Sequence, residues 1–206
     1  MSSDRQARRR EATRGKLVDA AKTLFAQQGV ESTRIKEITD EADVGFGSFY
    51  NHFESKEAIV EAVFEETLAA QGEALATLTS DLEDPAEVIA AAHRHFVRLA
   101  GKEPAWSWLL IHLDASHNIV RQALGPFALR DIRRGVESGR LSVAHEEVAL
   151  VAMGGSMLTV MRGVLEGWLP KDADVPHAEG VLRSLGVSPA DAAEVARRPL
   201  PSGLRD

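Results

Sequence analysis

Apolar positions recur at three- and four-residue intervals from about residue 14 onward, with few alternating β-branched runs, so the pattern predicts an all-α protein. Leu17, Ala21, Leu24 and Phe25 place a helix over about Arg14 to Gln28, and Gly29 follows as a left-handed stop. Next, Ile35, Ile38 and Ala42 share one helix face, and Val44 fills the angle to a second short helix. Phe49 and Phe53, four apart, turn that second helix's apolar side inward. Thr33 is placed to cap the first of these helices. Ser55 is placed to cap a further one carrying Ile59, Val63 and Phe64.

Asp84-Pro85-Ala86-Glu87 combines a cap, a proline at the first helical position and an acid three residues after the cap, so a helix starts there and ends by Gly101 and Pro104. A helix is expected from near Ser116 to Ser138, kinked or interrupted at Pro126 and stopped by Gly139. Another is expected from roughly Ala144 to Trp168. Gly186 and Ser188-Pro189-Ala190-Asp191 mark a last break and restart, followed by a Pro-containing tail; no internal repeat is present. The Ala144 to Trp168 segment carries two apolar stripes. One is Val148, Val151, Gly155, Leu158 and Leu165, interrupted by Arg162; the other is Leu150, Gly154, Met157, Met161, Val164 and Trp168. One stripe covers the segment's own core. The other needs a further apolar surface, from a second copy or from neighbouring helices of the same chain. Gly154 and Gly155 permit close approach at about 1 kcal/mol each relative to alanine.

The outward side of the 33–53 cluster carries Phe46, Gly47, Ser48, Tyr50, Asn51 and His52, short enough to enter a major groove and able to meet phosphates and base edges. Two short helices so joined form a helix-turn-helix. Lys56 opposes the dipole of the helix it begins, which suits a phosphate docked at that end. The net charge of −7 divides unevenly: through Lys56 there are 10 Lys and Arg against 9 Asp and Glu, and beyond it 14 against 22. Arg5, Arg8, Arg9, Arg10, Arg14 and Lys16 supply much of the basic charge, as a phosphate-tracking arm or as a solvated, disordered start. A chain of 206 residues, 44% hydrophobic, can bury a core. It has no cysteine, which suits a reducing cytoplasm and excludes disulfides and thiolate metal sites. No secretory signal and no apolar stretch long enough to span a bilayer is read from the sequence, so no membrane partner is expected.

From about Lys16 to Phe64 the chain resembles the DNA-binding domain of the tetracycline-repressor (TetR) family. The matches are Ala20-Ala21, Leu24-Phe25, Gly29, Thr33, Glu37-Ile38, Ala42, Val44, Gly47, Tyr50, His52-Phe53 and Ser55-Lys56-Glu57. Arg133-Arg134-Gly135 to Gly139-Arg140-Leu141, and Met161-Arg162-Gly163, resemble the family's ligand domains more loosely. The resemblance implies an all-helical homodimer with a three-helix DNA head, a fourth linking helix, a ligand-binding body and a dimer interface built by two late helices. It assigns Thr33, Lys36, Phe46, Gly47, Ser48, Tyr50, Asn51, His52 and Lys56 to double-stranded operator DNA. Asp43 departs from the family's usual glycine, which is tolerable because Asp enters left-handed conformations readily. Phe46 replaces a residue that is often polar or basic, leaving either an apolar contact to a thymine methyl or a ring folded over Tyr50.

The expected organisation is a basic, disordered tail at 1–13, a helix-turn-helix domain at 14–54, a ligand-binding and dimerisation body at 55–197 and a tail at 198–206. Val148, Val151, Gly155, Leu158 and Arg162 are the expected dimer surface. Trp106, Trp108, His112 and His117 line a small-molecule pocket or pack in the core. His93 with His95, and Asp114 with His117, have only weak metal-ligand spacing, and no metal or cofactor is expected. Nucleophile elbow, Walker loop and dinucleotide fingerprint are all missing, so an enzyme is not expected. The expectation is a ligand-responsive repressor that sits on a palindromic operator as a homodimer and leaves it when a small-molecule inducer binds. The competing readings are an interaction adaptor and an enzyme.

Overall fold

The computed structural model describes residues 2–113 and 115–204, so Asp114, one of the weak metal-spacing candidates, lies outside the described residues, as does the end of the 198–206 tail. Among the described residues there are ten α-helices and no strand. The chain divides into two compact units, Met1–Thr67 and Leu68–Asp206. That division falls later than the expected 54/55 boundary, within a helix that has no breaker at that point.

In the first unit α1 (Ser2–Gln28), α2 (Ile35–Glu41), α3 (Phe46–Phe49) and the start of α4 (Lys56–Leu78) enclose one core. Leu17, Val18, Ala21, Ile38, Phe49, Phe53 and Ile59 are buried together. The segment expected as a disordered tail is helical from Ser2, continuous with the helix expected from Arg14. No proline separates the basic run from the apolar-periodic one, and Gly15 between them stays helical, so the helix extends. Gly29 stops it at φ 81°. Asp43 adopts φ 53°, the left-handed turn its position requires, and it is the sole non-glycine residue to do so among those described. Ser55 accepts from the Ala58 amide at 3.2 Å, as a cap should. Thr33 does not cap α2. The cap is Arg34, whose amide donates to the Glu37 carboxylate at 2.7 Å, while the Thr33 hydroxyl turns back to the Gly29 carbonyl at 2.8 Å.

In the second unit α5 (Pro85–Lys102) is central, packed by α6 (Pro104–His112), α7 (Ser116–Glu137), α8 (Glu146–Glu166), α9 (Asp174–Ser184) and α10 (Pro189–Arg197). Asp84 caps α5 through the Ala86 amide at 2.9 Å. Pro126 removes one backbone donor without interrupting α7, because the neighbouring turns are held by tertiary packing. Buried Asp174 accepts from Arg94 at 3.1 Å and Arg98 at 2.8 Å, tying α9 to α5. The tail after α10 is docked rather than loose: Leu200 and Leu204 are buried, and Arg198 reaches Glu87 at 2.7 Å. Arg140 further joins the starts of α5 and α10 through Asp84 and Asp191.

Candidate nucleic-acid interface and ligand cavity

Burying Phe49 and Phe53 fixes which way α3 faces, because residues one and two positions away must then point outward. Phe46 and Tyr50, one helical turn apart, are each about half exposed, at 53% and 52%. Their rings meet edge to face at 5.8 Å, and Tyr50 meets buried Phe49 the same way at 5.3 Å, so Tyr50 is held upright with its hydroxyl end outward. The Phe46 ring therefore leans on Tyr50 while keeping an exposed apolar edge, and the two alternatives for it are compatible. Gly47 and Asn51 are exposed, and Ser48 and His52 are half-buried beside them.

Lys36 is exposed and paired with Asp40 at 2.7 Å, a surface ion pair that a phosphate or base edge can displace at little cost. Lys56 lies at the start of α4, its ammonium donating to the Glu31 carbonyl at 3.3 Å. Thr33 is buried with its hydroxyl committed to Gly29, so its side chain is not presented to a duplex. One basic group joins the set without having been picked out individually in the sequence: Arg10 donates to the Asn51 carbonyl at 3.1 Å, bringing the basic end of α1 beside α3. Burial, then Arg10 and Arg14, lower the pKa of His52 from its ordinary value, against a smaller opposing effect of Glu11.

In the second unit a cavity of about 310 Å³ lies among α4, α5, α7 and α8, with Leu75, Ile89, Phe96, Leu124, Phe127 and Met157 in its largely apolar wall. Gly72 allows the approach of α4 to α7: a Cβ there would stand 2.8 Å from the Phe127 ring. Polar groups are few. His93 enters from α5, and Asn118, Arg130 and Asp131 enter from α7, where Asp131 is buried and accepts both arms of Arg130 at 3.1 and 3.2 Å. Behind His93 stands a second histidine that does not line the cavity: His93 Nδ1 lies 3.0 Å from His177 Nε2 of α9. Burial, then the neighbouring His177, lowers His93 to about 3, and burial lowers His177 to about 4.

Of the four expected pocket residues only His117 lines this cavity. Trp108 is exposed and stacked on His112, with ring centroids 4.1 Å apart, and neither tryptophan forms part of the wall. The cluster is local in sequence, but α6 is short and turns Trp108 outward. His112 borders a second, more polar recess of about 410 Å³ with Leu158 and Arg162, and His117 lines this recess as well. The lining of this cavity includes single polar residues inside apolar stripes, Ile89-His93-Phe96 on α5 and Leu124-Ala128-Asp131 on α7. No group of three metal-ligating side chains occurs among the described residues.

On α8 the two stripes part company. Met157 and Met161 are buried, whereas Val148 and Val151 are 64% and 60% exposed. An added Cβ at Gly155 would meet nothing within 4 Å. Leu158 does not belong to this open face: it is buried in its own unit, and Arg162 is anchored to the Ile111 carbonyl at 2.8 Å. The expected dimer stripe is thus open only over its first half, because the helix rotates its later turns under α6. By length and composition α8 is also long and apolar enough to cross a membrane, a correction to the sequence expectation. Its valines and leucines raise the average, although Gly154, Gly155, Ser156, Thr159 and Arg162 interrupt any long apolar run.

Residues 17–63 match the family model described as bacterial regulatory proteins of the tetR family, and residues 84–198 match the tetracyclin repressor-like C-terminal domain. The structure of RolR in complex with resorcinol is 38% identical with a TM-score of 0.84, the match covering 95% of this chain and 98% of that one. RolR without ligand is 36% identical with a TM-score of 0.81, covering 91% and 98%. The transcriptional repressor KstR2 of Rhodococcus jostii is 34% identical over 91 residues, 39% of this chain. The match spans only 45% of that repressor's length.

Proposed function

The chain belongs to the tetracycline-repressor family of bacterial regulatory proteins, and from that premise we propose that it is a ligand-responsive repressor, binding a palindromic operator as a homodimer and released by a small molecule. The observation that carries the DNA reading is the outward face of α3, where Phe46 and Tyr50 stand half exposed over a buried Phe49 with Arg10 alongside. Tyr50, His52, Lys56 and Arg10 suit phosphate oxygens; Lys36, Ser48 and Asn51 suit base edges; Gly47 lets the backbone approach. Thr33 contributes by holding the turn before α2. One such helix specifies few bases, so a second copy a helical turn of DNA away, roughly 34–36 Å, supplies the missing specificity.

The exposed Val148, Val151 and Gly155 face is the surface offered to that second copy. The cavity takes the ligand. An engineered apolar cavity of about 150 Å³ holds benzene, so the space here fits a compact, mostly apolar molecule of one or two rings, in keeping with the resorcinol bound by RolR. Ligand lowers operator affinity by favouring a conformation in which the paired heads no longer match the operator, and operator lowers ligand affinity by the same factor.

Selection of bound fragments from genomic DNA, followed by titration across salt concentrations, tests this. Tyr50→Phe with Lys56→Ala is expected to weaken operator binding by about tenfold or more and to flatten the salt dependence by about one ion per lost phosphate contact. Folding stays intact. Failure to recover any double-stranded site at low ionic strength without ligand refutes the proposal.

A further inference from the structure

We propose that His93 is the deep polar anchor of the cavity and selects an uncharged, hydroxyl-bearing apolar molecule, with His177 as the positioning residue that sets the role of the ring nitrogen facing the ligand. This rests on the reading of the cavity as the ligand site. His93 is buried, lines the cavity and spends Nδ1 on His177. The described residues give its other nitrogen, Nε2, no hydrogen-bond partner. Gln71 Oε1 is the one buried side-chain polar atom without a partner among the described residues, so Nε2 keeps accessible surface and a molecule in the cavity can bond it.

The chemistry of the pair narrows what that something is. Between two neutral rings 3.0 Å apart lies a single proton. When His93 Nδ1 carries it, Nε2 is a bare acceptor; when His177 Nε2 carries it, His93 holds its own proton on Nε2 and donates. A hydroxyl meets both states because it donates and accepts. A hydrocarbon meets neither. A carboxylate only accepts and so meets one state; an ammonium only donates, and it faces Arg121 and Arg130. The rings form no metal site, since no third ligating side chain joins them among the described residues. The two states differ in the tautomer of both rings, each ring keeping one proton, so the bound hydroxyl selects the tautomer of His93 and, through the shared hydrogen bond, that of His177.

Calorimetry on the full chain with phenol, toluene and benzoate tests this, together with nitrogen-15 spectra of the histidine rings. Phenol is expected to bind about tenfold more tightly than toluene, the scale of one buried hydrogen bond, and more tightly than benzoate. His93→Phe should keep toluene binding, which shows that it folds, and erase the preference for phenol. In the wild-type chain phenol should shift the ring nitrogens of His177 as well as of His93, an effect that a merely space-filling role for the pair does not produce. Equal binding of phenol and toluene, tighter binding of benzoate, or silent histidine nitrogens with phenol bound overturns the assignment while leaving the cavity reading intact. Binding of none of the three overturns both.

Discussion

The two units place their candidate sites in opposite ways. In the first, the reading face is the outside of one short stretch, 46–52, and its orientation follows from two phenylalanines four residues apart. In the second, the candidate site is the inside of a cavity whose polar groups come from α5 and α7, with His177 of α9 behind one of them, tens of residues apart. A local outward site needs only the right period and a small core beneath it. An inward site needs the whole helical stack in register. Ion pairs show the same contrast: Lys36 and Asp40 are one turn apart and exposed, whereas Asp174 holds Arg94 and Arg98 from 80 and 76 residues away and is buried.

The largest expected effect tests that contrast directly. Asp174→Ala leaves buried Arg94 without its carboxylate and is expected to cost about 3–5 kcal/mol, read as a lower midpoint in denaturant. Asp40→Ala, acting on an exposed pair, should cost under about 0.5 kcal/mol. Comparable losses from the two would erase the distinction. Next comes the open face of α8. Val148→Arg places a charge on the exposed apolar face at a position that does not line the cavity, unlike Val151 and Gly155, and is expected to yield folded monomers whose operator affinity falls sharply, since one head then binds alone. A dimer of full strength in ultracentrifugation would locate the interface elsewhere.

The last test concerns pH. Both His93 and His177 have folded pKa values below the ordinary histidine value, so between about 6.5 and 4 the unfolded chain binds protons that the folded chain does not. Stability is therefore full above about pH 6.5 and falls as pH drops, by up to about 1.4 kcal/mol per pH unit for each histidine. His95 and His52 are lowered too and add to the slope. Replacing His93 and His177 together by Gln should flatten the decline between pH 6 and 5; an unchanged slope would assign it to other groups.

Much of the first unit was legible before any coordinates. Gly29, Asp43, Ser55, Phe49 and Phe53 act as their types and spacing dictate, because caps, left-handed turns and one-turn apolar pairs depend on neighbours within a few residues. Thr33 misled, since a buried threonine can bond backward to Gly29 as readily as it caps forward, and only the packing of the turn selects between them. In the second unit the helix boundaries were readable from proline, glycine and capping residues. The pocket was not. Trp106 and Trp108 drew notice by rarity, while His93 and Asp131 sat inconspicuously in apolar stripes, their significance depending on helices far away in sequence.

Sequence alone determined that this chain is helical, where most helices start and stop, that a helix-turn-helix stands near its beginning and that one late helix has more apolar surface than a single core uses. These properties follow from periodicity and local capping, which act over one or two turns. Tertiary structure decided that the basic run is part of α1 and lies beside α3, that Leu158 turns inward while Val148 and Val151 stay open, and that His93 meets His177 across a cavity. Those outcomes depend on how helices rotate and close against one another, a balance of packing among distant segments that no short window of residues encodes.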